Sequence, residues 1–600
     1  MYTSLLFCTI PASEGIRFGG YMKKRIVALL LVLMYTVSMF AGCQNNSGET
    51  TPTTPAVEYM KIAENKTTEY KIVSLITDKA IISDLATDLL IKTGAKFEVV
   101  NEANAGPKAI YIGTVAQMAG KGGTSTELTY TTYEIKVDNG NIYVSVADET
   151  LIDKAVEKLK EAIVKTADGV FGIDQNLSGM KNLANITEVV PVFETASGKK
   201  RELYDAGSGN YQITYQALNL SAADAEVAAY EQSLVDAGYS LHQKNTINQS
   251  QFFTYTKGDT LVHCNYFKPM KEFRIVYGPK TYLGSQTPIT EYEKKVTPSM
   301  SIVALTDSGL SMVYQAHDGS FVIIDGGYGT DTIASYTINK GTSTEMTLTY
   351  NRDVKTDMES LWKLLEEKTP AGEKPQVTWM ITHADPDHIG LPTLFIKDYK
   401  DKFDLNLVCY NFPDLDNVGL ENGSITTFEG YMDAFISSVN SNFPNANHMI
   451  YHTGQKLYLP GAEIEFLFTA EDYWPNKMPW MNHTSGAWRI TSEGKTIMIT
   501  GDCETGLNNQ MVKVFGSYLK SDIMQLNHHG SNGGTLAFYK QVNPTVALWA
   551  CPQKILELDN RRLGTQAGYD FNLFIQQNAK DHYSHTETHT ILLPSLEEEK

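Results

Sequence analysis

The sequence is poor in several features that would fix its class at once. It has six cysteines in 600 residues. Cys264, Cys409, Cys503 and Cys551 are scattered, with neither paired nor metal-ligand spacing, which argues against a disulfide framework and leaves buried single thiols as the expectation. Basic residues are the minority, 50 Lys and Arg against 69 Asp and Glu, giving a formal net charge of −19. A sequence-independent nucleic-acid binder would carry the opposite balance. Clusters of Lys or Arg interleaved with aromatics are also missing, so stable nucleic-acid binding is not expected. No repeat of 20–50 residues is present, which excludes solenoids and propellers. At this length a single core does not suffice, and two to four domains are expected.

One segment departs from globular composition, "MKKRIVALLLVLMYTVSMFAGC", Met22 to Cys43. Lys23, Lys24 and Arg25 precede an apolar run that is short for a membrane span, and Ala41 and Gly42 lead into Cys43. This is the layout of a secretory signal. "FAGC" resembles a bacterial lipobox, with Phe40 where Leu is more usual. The resemblance implies a lipid on Cys43 and an extracytoplasmic protein anchored to the bacterial cell membrane. A plain signal peptide with an incidental cysteine is the alternative. Residues 1–21 do not fit the signal, and the true start is expected at Met22. Residues 1–43 are therefore read as leader and signal peptide. Residues 44–58, rich in Ser, Thr, Asn and Pro, read as a flexible tether.

Residues 59–190 read as an α+β accessory unit. It contains the strand "YKIVSLI", a helix ending at Gly94, and a hairpin turning at Asn139-Gly140. Residues 195–285 read as a second small α+β unit, with a helix capped by Ser221 and three strands after it. His242 and His263 stand alone there, and no chemistry is assigned to them.

Residues 293–600 hold eleven of the thirteen histidines. Here the acidic residues and histidines recur directly after apolar strand-like runs. "VIIDGG" ends at Asp325, "WMITHADPDHIG" carries His383, Asp385, Asp387 and His388, "IMITGD" ends at Asp502, and "IMQLNHHGS" ends at His528 and His529. Strand ends open on one side of a layered α/β structure, so residues far apart in sequence meet at one site. A cluster of this kind supplies nitrogen and oxygen ligands to two neighbouring divalent cations.

"THADPDHIG" resembles the HxHxDH motif of the metallo-β-lactamase superfamily, with Asp385 where a second His usually stands. "VIIDGG", "ITGDCE" and "LNHHGS" follow the other landmarks of that superfamily in order. This HxDxDH variant is most similar to the hydrolase-like domain of competence DNA-uptake proteins. The resemblance covers about half the chain. It implies an α/β fold, a four-layer αβ/βα sandwich, preceded by the two small α+β domains. It further implies that His383 and Asp385 ligate a first metal, and Asp387 and His388 a second. Asp502 would bridge the two, and His528, preferred over His529, would complete the second site. His529 would face substrate or move a proton, and Asp325 would orient ligands. The usual third ligand of the first site has its nearest counterpart in "MNHTSG", which makes His483 or Asn482 a candidate. With Asp385 in place of a nitrogen donor the pair of ions would be Zn or Mn, Zn favoured. His582, His585 and His589 lie near the C-terminal end, where one of them could touch substrate.

The resulting expectation is a monomeric, extracytoplasmic metal-dependent hydrolase. Hydroxide held by the metals would attack a phosphodiester-type envelope or extracellular substrate. Hydrolysis of a β-lactam or another amide or ester is second. A non-catalytic surface-binding lipoprotein with a structural metal site is the alternative of another class.

Overall fold

The computed structural model describes residues 57–593, apart from 126–127, 129–131, 148, 183–189, 192, 196–200, 208–209, 416–417, 421 and 474–477. The signal segment, Cys43 and most of the tether lie outside the described residues. Among the described residues no helix is long and apolar enough to cross a membrane.

In the first part of the chain a six-stranded mixed sheet carries the helices Lys79–Thr93 and Ile152–Ala162. The first helix ends where expected, because Gly94 takes the left-handed conformation at φ +76 and its N–H reaches the Leu90 carbonyl. Asn139 and Gly140 also take positive φ, which lets the chain reverse between Thr132–Asp138 and Asn141–Val146.

The next sheet has six strands, Arg201–Gly207, Asn210–Tyr215, Ser240–Ile247, Ser250–Lys257, Thr260–Phe267 and Glu272–Pro279. Every pairing in it is antiparallel. The helix Leu220–Asp236 packs on one face. Asn219, not Ser221, caps that helix, its side chain accepting from the Ser221 N–H at 3.2 Å. Ile247, Phe252 and Phe267 enter the same buried cluster as Leu467, Met511 and Phe515 of the last part of the chain. Gly454 lies so close that a Cβ there would stand 1.9 Å from the Phe252 ring.

That last part is a sandwich of two seven-stranded sheets. The strands of the first sheet are β1 (Ser299–Ile302), β2 (Ser311–Gln315), β3 (Phe321–Asp325), β4 (Gln376–Met380), β5 (Asp404–Tyr410) and β6 (Asn447–Ile450). Those of the second are β7 (Lys456–Leu459), β8 (Ala462–Phe468), β9 (Ala487–Ser492), β10 (Lys495–Ile499), β11 (Ile523–Gln525), β12 (Val546–Trp549) and β13 (Asp581–Ser584). A final strand, β14 (His589–Leu592), returns to the first sheet beside β1. The order is β6-β5-β4-β3-β2-β1-β14 in one sheet and β7 through β13 in sequence in the other. Strands β3 to β6 run parallel, as do β10 to β13.

Side-chain alternation decides the layers. Val322 and Ile324 of β3 face the second sheet, in one cluster with Trp488, Ile497 and Ile499. Phe321 and Ile323 face the other way, against α1 (Val354–Lys368) and α2 (Pro386–Asp398). Met498 of β10 likewise turns outward to α4, with α3 (Asn422–Asn442) preceding it in the chain and α4 being Thr505–Phe515. Helix, sheet, sheet, helix is the four-layer sandwich expected from the sequence.

Candidate metal centre

The centre forms where the two sheets' parallel strands end together. β3 delivers Asp325. β4 leads into Ile381 and the loop carrying His383 and Asp385, and α2 begins at Pro386, so Asp387 and His388 sit in its first turn. Pro at the first helical position fits, since that N–H would be unpaired in any case. From the second sheet, β10 leads to Asp502 and β11 to His528 and His529.

Asp387, His388, Asp502 and His529 each offer one ligand atom, and these atoms all lie within 4.8 Å of one another. His529 Nε2 is 3.1 Å from Asp387 Oδ2 and 3.4 Å from Asp502 Oδ2. His388 Nε2 is 3.3 Å from Asp502 Oδ1. The Nε2 atoms of both histidines and Oδ1 of Asp502 are buried without a hydrogen-bond partner. Buried polar atoms left unpaired are costly, and three of them converging on one point are what a cation would satisfy.

The far side of each ring is fixed. His388 Nδ1 donates to Asp325 Oδ2 at 2.8 Å, and His529 Nδ1 donates to the Ala550 carbonyl at 2.9 Å. Both contacts leave the Nε2 lone pair directed at the cluster, the tautomer a ligand needs. Asp325 is itself held by the Thr382 N–H at 2.7 Å and the Thr382 hydroxyl at 2.6 Å. It takes a left-handed φ of +52, uncommon for a residue with a side chain.

The charges respond to this crowding. Burial alone would raise the Asp387 carboxyl, but the imidazoles of His388 and His529 outweigh it and hold it at about 2. Asp502 is held low in the same way by His529 and His388. Burial would lower His529, yet Asp502 and Asp387 raise it to about 9, and His388 is raised too. In the metal-free protein, protons on the two rings therefore carry the positive charge that a cation would bring.

His528 lies outside this group, although the sequence favoured it as the ligand. Its Nε2 is 3.6 Å from Asp502 and its Nδ1 is 3.6 Å from Glu504. A quarter of its side chain is exposed, against 7% for His529. The reason is in the backbone: both residues adopt left-handed conformations, φ +47 and +56, so the chain curls and turns the second ring inward.

His383 and Asp385 lie together beside the group, His383 Nε2 3.3 Å from Asp385 Oδ2, with the His383 ring centroid 4.1 Å from that of His388. His383 Nε2 and Asp385 Oδ1 are likewise buried and unpaired. His483 is not part of the four-residue group. Its ring packs edge-on against Tyr473 and Trp480, with Nδ1 buried and unpaired. Its neighbour Asn482 reaches inward, with Nδ2 3.4 Å from Asp502 and 3.2 Å from His528 Nε2.

Of the C-terminal histidines, His582 accepts from the Trp549 indole at 3.1 Å, and His589 lies in β14. His585 is buried with neither ring nitrogen hydrogen-bonded, and burial together with the neighbouring His529 brings it down to about 3. Sequence reasoning missed Thr382 and Glu504. Thr382 adjoins the motif, but nothing in its type marks it as the partner of Asp325. Glu504, two residues after Asp502, was visible only as the last letter of "TGDCE".

No family model matches the sequence, and no curated protein matches it. Among solved structures the chain is similar to CmlA, a diiron β-hydroxylase from Streptomyces venezuelae, at 11% identity over 70% of this chain and 74% of that one, with a TM-score of 0.27. It is also similar to Zn(2+)-bound PqqB from Methylobacterium extorquens, at 7% identity over 49% of this chain and 99% of that one, TM-score 0.27. Human tRNase Z, short form, is matched at 12% identity over 42% and 90%, TM-score 0.23. The four layers and the His/Asp centre at the strand ends are the chain's own features, and by them it is an α/β sandwich built to hold metal.

Proposed function

We propose that this protein is an extracytoplasmic hydrolase, tethered to the bacterial cell membrane through Cys43, that uses divalent metal at the centre to cleave phosphodiester-type substrates of the envelope or surroundings. The observation that carries the reading is the convergence of Asp387, His388, Asp502 and His529 within 4.8 Å. In this reading Asp387, His388, Asp502 and His529 would hold one ion, and His383 and Asp385 would contribute to a second. A bound divalent ion supplies Lewis acidity and an acidified water at neutral pH.

The protein's own part is to orient and to move protons. Asp325 fixes the His388 ring, and the Ala550 carbonyl fixes that of His529. Asn482 directs its amide toward Asp502. His528, partly open to solvent and backed by Glu504, is the residue placed to carry a proton to a leaving group. The roles that the sequence suggested for His528 and His529 are thus exchanged. Zinc is favoured over manganese because two imidazoles serve the inner ion.

The test is metal analysis of purified residues 59–600, followed by hydrolysis assays on bis(4-nitrophenyl) phosphate, a phosphomonoester and a β-lactam. The expected outcome is metal-dependent phosphodiester cleavage that chelator abolishes and Asp387→Ala lacks. Metal-loaded protein inert on all three would favour a binding protein with a structural metal site.

A further inference from the structure

Among the described residues His585 is the one histidine with both ring nitrogens buried and unpaired, and it is only 1% exposed. Other buried histidines have partners. His263 bonds the Thr254 hydroxyl and the Thr453 carbonyl, and His452 bonds Glu471. A neutral imidazole carries one N–H and one lone pair whichever tautomer it takes, and leaving both unmet in the interior is costly. An orphaned ring of this kind calls for a partner that the chain itself does not supply.

The strand register shows where that partner would sit. β12 and β13 run parallel, with Trp549 opposite Ser584. The next residues along are Ala550, whose carbonyl holds the His529 ring at 2.9 Å, and His585. The His585 ring lies in electrostatic reach of His529, and near the Gly309 backbone, which influences it without satisfying either nitrogen. Gly309 in turn abuts Asp387. A Cβ on Gly309 would stand 3.2 Å from the Asp387 carbonyl, and the Leu310 N–H donates to that carbonyl at 3.2 Å. His585 therefore flanks the side of the centre where Asp387 and His529 meet at 3.1 Å. Its backbone is tied down as well. The Leu305 N–H donates to the His585 carbonyl at 3.0 Å, the Gln553 N–H to the Thr586 hydroxyl at 2.7 Å, and the Ala304 N–H to the Thr588 hydroxyl at 3.0 Å. An unsatisfied imidazole is thus held in a fixed place beside the centre, as a group that positions a ligand must be.

We propose that His585 contacts the substrate at this centre, its ring N–H donating to an oxygen of an oxyanion held beside Asp387 and His529. A ligand drawn to divalent metal brings oxygen acceptors, and a hydrogen bond to a charged acceptor is stronger than one to a neutral group. The inference rests on the hydrolase reading for the identity of the oxyanion, a phosphoryl group, and not for the contact itself.

The test is calorimetric titration of zinc-loaded residues 59–600 with inorganic phosphate and dimethyl phosphate, read beside zinc affinity and the kinetics on bis(4-nitrophenyl) phosphate. His585→Leu, which roughly matches the ring in size and removes both nitrogens, should weaken anion binding about tenfold and raise KM, with zinc affinity unchanged. His585→Gln, which keeps an N–H, should recover part of the loss. Should His585→Leu fail to fold, nitrogen-15 shifts of the His585 ring in the wild-type protein decide, and they should move when phosphate is added. Anion binding that depends on His585 in a protein that cleaves nothing would sink the hydrolase reading and leave this one standing. Absence of anion binding in the zinc-loaded wild type, binding unchanged in His585→Leu, or ring shifts unmoved by phosphate would each overturn the proposal. Loss of zinc in His585→Leu would overturn it too, by making His585 a metal ligand instead.

Discussion

Replacing Asp325 by Asn tests the centre at one hydrogen bond. The carboxylate accepts three bonds, from the Thr382 N–H at 2.7 Å, the Thr382 hydroxyl at 2.6 Å and His388 Nδ1 at 2.8 Å. Asn tolerates the φ of +52 better than most residues with a side chain, so the backbone should stay. Its oxygen can keep the Thr382 N–H, and the Thr382 hydroxyl can rotate to accept from the new amide. His388 Nδ1 cannot be satisfied as a donor, because it now meets an N–H. The ring must take the other tautomer, with its proton on Nε2, and the nitrogen facing Asp502 then has no lone pair to offer. Loss of such an orienting partner typically costs 10–100-fold in metal affinity, about 1.4–2.7 kcal/mol. Titration of Zn²⁺ into metal-free Asp325→Asn, read by calorimetry or a competing chelator, should show a shift of that size. Nitrogen-15 chemical shifts of the His388 ring should show the changed tautomer. Wild-type affinity, with the Nδ1–H tautomer retained, would refute the reasoning.

Further outcomes follow from the same geometry. His529→Ala should lose bound metal, whereas His528→Ala should retain it and lose activity; the reverse pattern in metal analysis would restore His528 as the ligand. In the metal-free protein His529 sits at about 9, above its ordinary 6.5, so its stabilising effect is complete below about 6.5 and fades as pH rises through about 9. Metal must displace that proton, so affinity should climb with pH up to about 9 and then level, and uptake at pH 7 should release protons measurable as a buffer-dependent heat. Residues 293–600 expressed without the middle sheet should aggregate, because Leu467 and Phe515 lose Ile247, Phe252 and Phe267, and the Thr453 carbonyl loses the His263 ring at 2.8 Å; a soluble, cooperatively melting fragment would contradict this. Cys43→Ser should abolish lipid attachment, seen as loss of palmitate labelling and of membrane sedimentation.

The layered core was legible in the sequence because strand alternation and strand-end punctuation are local. "VIIDGG" already separates Val322 and Ile324 from Ile323 by face, and it puts Asp325 at the edge. The residues that gather at the centre could be named for the same reason. What stayed hidden depends on conformation at single residues or on distant partners. Choosing between His528 and His529 requires knowing that both are left-handed, which two adjacent histidines do not announce. The helix cap moved from Ser221 to Asn219 because both side chains can cap, and the chain's entry geometry decides. His263 looked like a lone surface or core histidine, and its partner, the Thr453 carbonyl, is 190 positions away.

The apolar face that the middle sheet shares with the sandwich has a consequence for biosynthesis. Chains emerge from their N-terminal side, so this sheet is complete well before its partners exist. Phe252 must wait about 260 residues for Phe515, the ring it meets at 6.4 Å in the finished structure. Until then Ile247, Phe252 and Phe267 form a sticky surface on a nascent chain. The last half of the protein therefore serves the middle as a late-arriving cover, and during synthesis that surface must be kept occupied by a chaperone or held unfolded until the sandwich closes over it.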